Sequence, residues 1–93
     1  MPEMHFHVRW PDGRHEACYS PSLVVKDFLT PGESYALDDF VEKTRTALTI
    51  ASDRVREKYG FACSSALDQL ARIEAAAKRQ ASDGKVTVES FGP

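Results

Sequence analysis

The sequence is poor in cysteine, with only Cys18 and Cys63 in 93 residues, far apart and part of no CxxC pair. That usage points to reduced thiols and a cytoplasmic setting rather than to a disulfide framework. Long apolar runs are also missing. None approaches the roughly 18 residues of a membrane span, and the opening residues lack a basic segment followed by an apolar one, so neither membrane nor signal peptide is expected. No charge of one sign dominates: 12 basic and 14 acidic residues leave a net charge of −2. The two signs interleave, as in Asp53-Arg54-Val55-Arg56-Glu57-Lys58, whereas nucleic-acid binders carry a basic stripe that neutralises phosphates. Nucleic acid is therefore not an expected partner. There is no internal repeat, linker or low-complexity segment. What is present, 42% hydrophobic and 28% charged residues, is ordinary for a globular chain. Residues 1–93 read as one domain, large enough to bury roughly 60–65% of the surface of its unfolded chain.

The N-terminus reads as a β-hairpin. Met4-His5-Phe6-His7-Val8-Arg9-Trp10 alternates apolar and polar residues with the period of a half-buried strand. Pro11-Asp12-Gly13 supplies a turn, and Arg14 to Tyr19 returns. A three-residue loop pairs Trp10 with Arg14 and so sets Val8 against Glu16, Phe6 against Cys18, Arg9 against His15, His7 against Ala17 and His5 against Tyr19. Met4, Phe6, Val8, Trp10 and Cys18 then share the core face. Ser20-Pro21 has the form of an N-cap opening a short helix from Pro21 to Leu29, although Val24-Val25 also suits a strand.

Periodicity of 3–4 residues predicts a long helix over 38–59, with Leu37, Phe40, Val41, Thr44, Leu48, Ala51, Val55 and Tyr59 on one face. Asp39 and Glu42 have capping-box spacing, and Gly60 suits the position just past the end. A second helix is expected over 65–80. Ser65 and Asp68 sit at capping-box spacing, and Ala66, Leu67, Leu70, Ile73 and Ala77 form its apolar face. Asp83-Gly84 turns the chain into a last strand, Lys85 to Phe91, with Val86 and Val88 inward. The expected fold is α+β: the hairpin and the C-terminal strand form a three-stranded antiparallel sheet packed on two long helices.

Two groups of side chains carry chemistry. The hairpin register puts His5, His7 and His15 on one outward face, where imidazoles can share a transition metal, with Glu3 as a possible oxygen ligand. The simpler reading is a solvated sheet face rich in histidine, because a metal site also needs fixed geometry and outer hydrogen bonds. Cys63 precedes a helix start, where backbone N–H groups and the helix dipole favour a thiolate, so it is the candidate nucleophile. A nucleophilic cysteine also needs a base, and no histidine is near it in sequence; as a small buried hydrophobe it would be structural. Cys18, opposite Phe6, reads as packing. The serines at Ser20-Pro21-Ser22 and Ser64-Ser65 could mark anion sites at helix N-termini. With no Gly-rich loop, ordinary capping explains them. Ala47 and Ile50 lie off the main helix face, and Phe61 and Phe91 have no assigned place; such apolar surplus suits a dimer or partner interface. These residues name no cofactor.

The segments Met1 to Gly13, Cys18-Tyr19-Ser20-Pro21-Ser22, Pro31-Gly32-Glu33-Ser34-Tyr35, Asp39-Phe40-Val41 and Lys58-Tyr59-Gly60-Phe61-Ala62-Cys63-Ser64 resemble a family of small bacterial proteins. That family comprises nitrogen starvation response proteins encoded in a nitrilase-containing gene cluster, and the resemblance runs along essentially the whole chain. It implies a role in using nitrile or cyanide nitrogen when ammonium is scarce, beside a nitrilase, a radical S-adenosylmethionine protein and a flavin-dependent oxidoreductase. It carries over no catalytic residue. Residues and resemblance together favour a non-catalytic accessory or binding protein, as a homodimer or in complex with enzymes of the cluster. The alternative is a small enzyme or carrier acting through the Cys63 thiol; a DNA-binding regulator is disfavoured by the charge balance.

Overall fold

In the computed structural model, which describes residues 3–61 and 64–92, the hairpin forms as its sequence dictates. Strand β1 (Met4–Arg9) pairs antiparallel with β2 (His15–Ser20) in the expected register, from Met4 opposite Ser20 to Arg9 opposite His15. The turn closes by two bonds: Trp10 N–H donates to the Arg14 carbonyl at 2.8 Å and Gly13 N–H to the Trp10 carbonyl at 2.9 Å. Gly13 takes φ 90°, a conformation a side chain would strain. The expected core face is buried throughout: Met4, Phe6, Val8, Trp10 and Cys18 are all nearly inaccessible.

After β2 the structure departs from expectation. In place of a helix from Pro21 to Leu29 there is a 3₁₀ turn, Leu23–Asp27, and its cap is Ser22, whose Oγ accepts from Val24 N–H at 3.3 Å. The Ser20 hydroxyl instead bonds Ser22, donating to its carbonyl at 2.7 Å. Val24 and Val25 are buried there. β-Branched valines are restricted at χ1 and form longer helices less readily, and the segment stays a short 3₁₀ turn. A fourth strand, β3 (Ser34–Ala36), was not expected; it pairs with β4 (Lys85–Gly92), setting Tyr35 opposite Val86. Gly32 at φ 88° turns the chain towards it, and its N–H donates to the Val88 carbonyl at 2.7 Å. The sheet is therefore four-stranded and antiparallel, in the order β2-β1-β4-β3.

The β1–β4 ladder slips by one residue between Val8, opposite Val88, and His7, opposite Ser90. Glu89 is the extra residue of a β-bulge, and a bulge reverses the alternation beyond it. Val86 and Val88 face the core as expected, and Phe91, three residues past Val88 rather than two or four, faces it as well and packs against it.

Helix α1 (Leu37–Tyr59) and helix α2 (Ser64–Lys78) lie across the inward face. At the start of α1 the Asp39–Glu42 capping box is not made. Ala36 precedes the helix with no side-chain cap, and Asp38 Oδ1 accepts the Asp39 N–H at 2.9 Å. Gly60 ends the helix at φ 85°, its N–H donating to the Arg56 carbonyl, as expected. The buried face of α1 includes Ala47 and Ser52 and leaves Tyr59 52% exposed. Ala47 is thus core rather than surplus. Thr44, buried mid-helix, satisfies its hydroxyl by donating to the Phe40 carbonyl at 2.9 Å. On α2 the buried positions are Ala66, Gln69, Ile73 and Ala76, while Leu67 is 47% exposed; Leu70 and Ala77 pack half-buried on the core. The helix stripe is rotated by part of a turn from the expected one, because α2 packs against the edge of β2 as well as against α1. Trp10 meets Phe40 edge to face at 5.6 Å and gives its indole N–H to Glu16 Oε1 at 2.9 Å, tying hairpin to helix layer.

Candidate functional site

The three hairpin histidines share the outward sheet face, as their register requires, but each is engaged differently. His5 stacks edge to face on Tyr19 at 5.7 Å. His7 lies opposite Ala17 on one side and Ser90 on the other. Its Nε2 is 3.4 Å from where a Cβ on Gly92 would stand. His15 reaches across the sheet to the bulge, its Nδ1 2.7 Å from Glu89 Oε1. Among the described residues, no three His, Cys, Asp or Glu side chains are grouped so as to hold one metal ion.

Cys63 lies outside the described residues. Cys18 is fully buried opposite Phe6, and burial, reinforced by the Glu16 carboxylate and opposed by Arg72, pushes its thiol well above the ordinary range. A thiol so held stays protonated and is no nucleophile at neutral pH. It packs, as expected. The serines before the 3₁₀ turn act as local caps, and Ser22 Oγ also accepts from Arg54 Nη1 at 3.0 Å, which anchors α1 to the β2–β3 connection.

The structure adds features that the sequence reading missed. A groove of about 540 Å³ runs between α1 and α2, floored by Leu37, Val41 and Ala77 and bridged by the Arg45–Glu74 ion pair at 2.9 Å. A smaller cavity, about 220 Å³, opens where α2 meets the edge of β2, and is lined by Tyr19, Ser65, Asp68 and Arg72. Beside it Gln69, only 3% exposed, accepts the Tyr19 backbone N–H on its Oε1 at 3.0 Å. An edge-strand donor is thereby satisfied without another strand. Its Nε2 has no hydrogen-bond partner. A signal for Gln69 was present in the sequence: it falls three residues after Ala66 and four before Ile73, an amide on an otherwise apolar stripe. Finally, Tyr59, Phe61 and Leu67, exposed by 52%, 68% and 47%, flank the connection between the two helices.

A four-stranded antiparallel sheet with two helices on one face defines a small α+β protein. No helix among the described residues is long and apolar enough to cross a membrane. The family model for nitrogen starvation-induced protein NitG matches residues 5–91, and the chain belongs to that family. Its role accordingly lies in the response to nitrogen starvation. No curated protein and no solved structure matches the chain.

Proposed function

We propose that this protein is a non-catalytic accessory or binding protein in the nitrogen starvation response, serving enzymes that release nitrogen from nitriles or cyanide. The observation that carries this reading is the group of exposed apolar side chains Tyr59, Phe61 and Leu67 around the α1–α2 connection. Exposed aromatic residues with apolar neighbours are typical of the centre of a protein interface, where burial excludes water and a few large side chains dominate the affinity. The core does not need them, since α1 and α2 already bury Phe40, Leu48 and Ile73 against the sheet. The link to nitrile or cyanide nitrogen rests on the family resemblance.

Co-expression with each enzyme of the gene cluster, followed by gel filtration, tests the proposal. One enzyme is expected to co-migrate with the protein, and a Tyr59→Ser/Phe61→Ser double variant is expected to elute alone while melting at an unchanged temperature. A homodimer broken by the same double variant would retain the binding role with a second copy as partner. Independent elution of every pair, with a monomeric protein, would overturn it.

A further inference from the structure

We infer that the outward face of α2 is a contact between two copies of this chain, packed helix against helix and antiparallel about a twofold axis at Ala71. The inference rests on the reading above that exposed apolar residues of the helix layer form interfaces, and it names the occupant of one of them. A surface helix ordinarily buries one stripe and turns charged or polar residues to solvent on the opposite side. Helix α2 departs from that pattern. Ala66, Gln69, Ile73 and Ala76 form its buried stripe. Leu67, Ala71 and Ala75, each four residues from the next, form a second apolar stripe that is exposed throughout, Leu67 by 47%. At about 3.6 residues per turn, Ala71 stands opposite the middle of the buried set. The second stripe therefore faces directly away from the core and serves nothing within the chain.

The charges beside the stripe select a second copy as the occupant. Asp68 and Arg72 lie on its β2 flank, and Glu74 and Lys78 on its α1 flank. A twofold axis across two antiparallel helices brings like flank to like flank, and in such an isologous contact residue i meets j as j meets i. With the axis at Ala71, Leu67 of each copy packs on Ala75 of the other. On the β2 flank, Asp68 of each copy comes within about 3 Å, along the helix axis, of the level of Arg72 of the other. An arginine side chain spans that stagger. The two charges thus make two reciprocal pairs across the axis, whereas the same order of signs would repel had the flank carried one sign. Neither Asp68 nor Arg72 is held by an ion pair to any described residue of its own chain. On the α1 flank Glu74 is already neutralised by Arg45 at 2.9 Å. Small side chains at Ala71 and Ala75 let the helices approach to the short end of the usual 8–10 Å separation, and Leu67 fills the space on either side.

The test is sedimentation velocity of the full chain at low salt, where the parent is expected to be a dimer. Asp68→Arg sets like charges together in both reciprocal pairs and should weaken self-association roughly tenfold or more. Asp68→Arg/Arg72→Asp returns opposite signs to each other and should restore the dimer. Both positions are exposed, so the variants should melt like the parent. Oxidation tests the axis separately, in a Cys63→Ser background, since Cys18 is buried. Ala71→Cys is expected to form a disulfide with its own copy. Ala75→Cys is not, because its two copies stand roughly 12 Å apart along the helices, beyond the ~7 Å a disulfide reaches. A monomeric parent, a double swap that stays monomeric, or Ala75→Cys cross-linking as readily as Ala71→Cys would overturn the inference. A dimer broken by Tyr59→Ser/Phe61→Ser but not by Asp68→Arg would place the contact at the helix connection, overturning this arrangement while leaving the accessory reading intact. Co-migration of an enzyme with a monomeric chain would likewise uphold that reading and overturn this one.

Discussion

At Cys18 the chemistry of a side chain follows from where it is buried. Desolvation and the nearby Glu16 carboxylate both disfavour the thiolate, so the folded protein holds this proton more tightly than the unfolded chain does. The sign is then determined. The stabilisation is fully present below the ordinary thiol range of about 8.5 and is lost as pH rises above it, because only the unfolded chain ionises there. Urea midpoints measured from neutral to about pH 10 should therefore fall more steeply for the parent than for Cys18→Ala; parallel curves would contradict the burial of the thiol. Asp12 shows the opposite case. The Arg14 N–H, 3.0 Å from its Oδ1, lowers its pKa, so its contribution is present above the ordinary carboxylate range and disappears as pH falls through the lowered value.

Among the elements, the hairpin tip depends on a contact far away in sequence. Asp12 N–H donates to Gln80 Oε1 at 3.1 Å, and Gln80 Nε2 donates to Asp12 Oδ2 at 3.2 Å, fixing the turn to the end of α2. The Pro11 ring consequently lies against Gly84, where an added Cβ would stand 2.6 Å from Pro11 Cβ and 2.7 Å from its Cγ. A proline ring cannot rotate away. Gly84→Ala is expected to cost about 1–3 kcal/mol of stability, as overpacking does. For a domain of this size that lowers the melting temperature by roughly 4–8 °C per kcal/mol. An unchanged melting curve would mean that tip and turn are not in contact. Gly84 read in the sequence only as half of an Asp-Gly turn; its contact with Pro11 exists only once α2 and β1 have been docked.

Over the whole molecule, stability concentrates where sheet and helices meet. Phe40 is fully buried against Trp10. Its truncation to alanine should cost about 3–5 kcal/mol, against a total of roughly 5–14 kcal/mol for a chain of this length. Phe61→Ser, at the exposed helix connection, should stay within about 0.5 kcal/mol of the parent. Denaturant titration of the two variants checks both values; equal losses would mean that Phe61 belongs to the core and would remove the surface on which the proposed partner binding rests.

The α+β class, the hairpin with its full register and the existence of both helices were legible from the sequence, because they depend on interactions between near neighbours. Alternation, turn chemistry and 3–4 spacing are written within a few residues of one another. The shared outward face of the histidines followed for the same reason. The tertiary structure alone decided the rest. Strand β3 is three residues without a pattern of their own, and it is a strand only because the edge of β4 offers its backbone partners. The inward turn of Phe91 required a bulge against β1, and the rotation of the α2 stripe onto Gln69 required the edge of β2. The cavity between β2 and α2 belongs to that class too: it joins a strand to a helix some fifty residues later, and only packing could bring Tyr19, Asp68 and Arg72 to its lining.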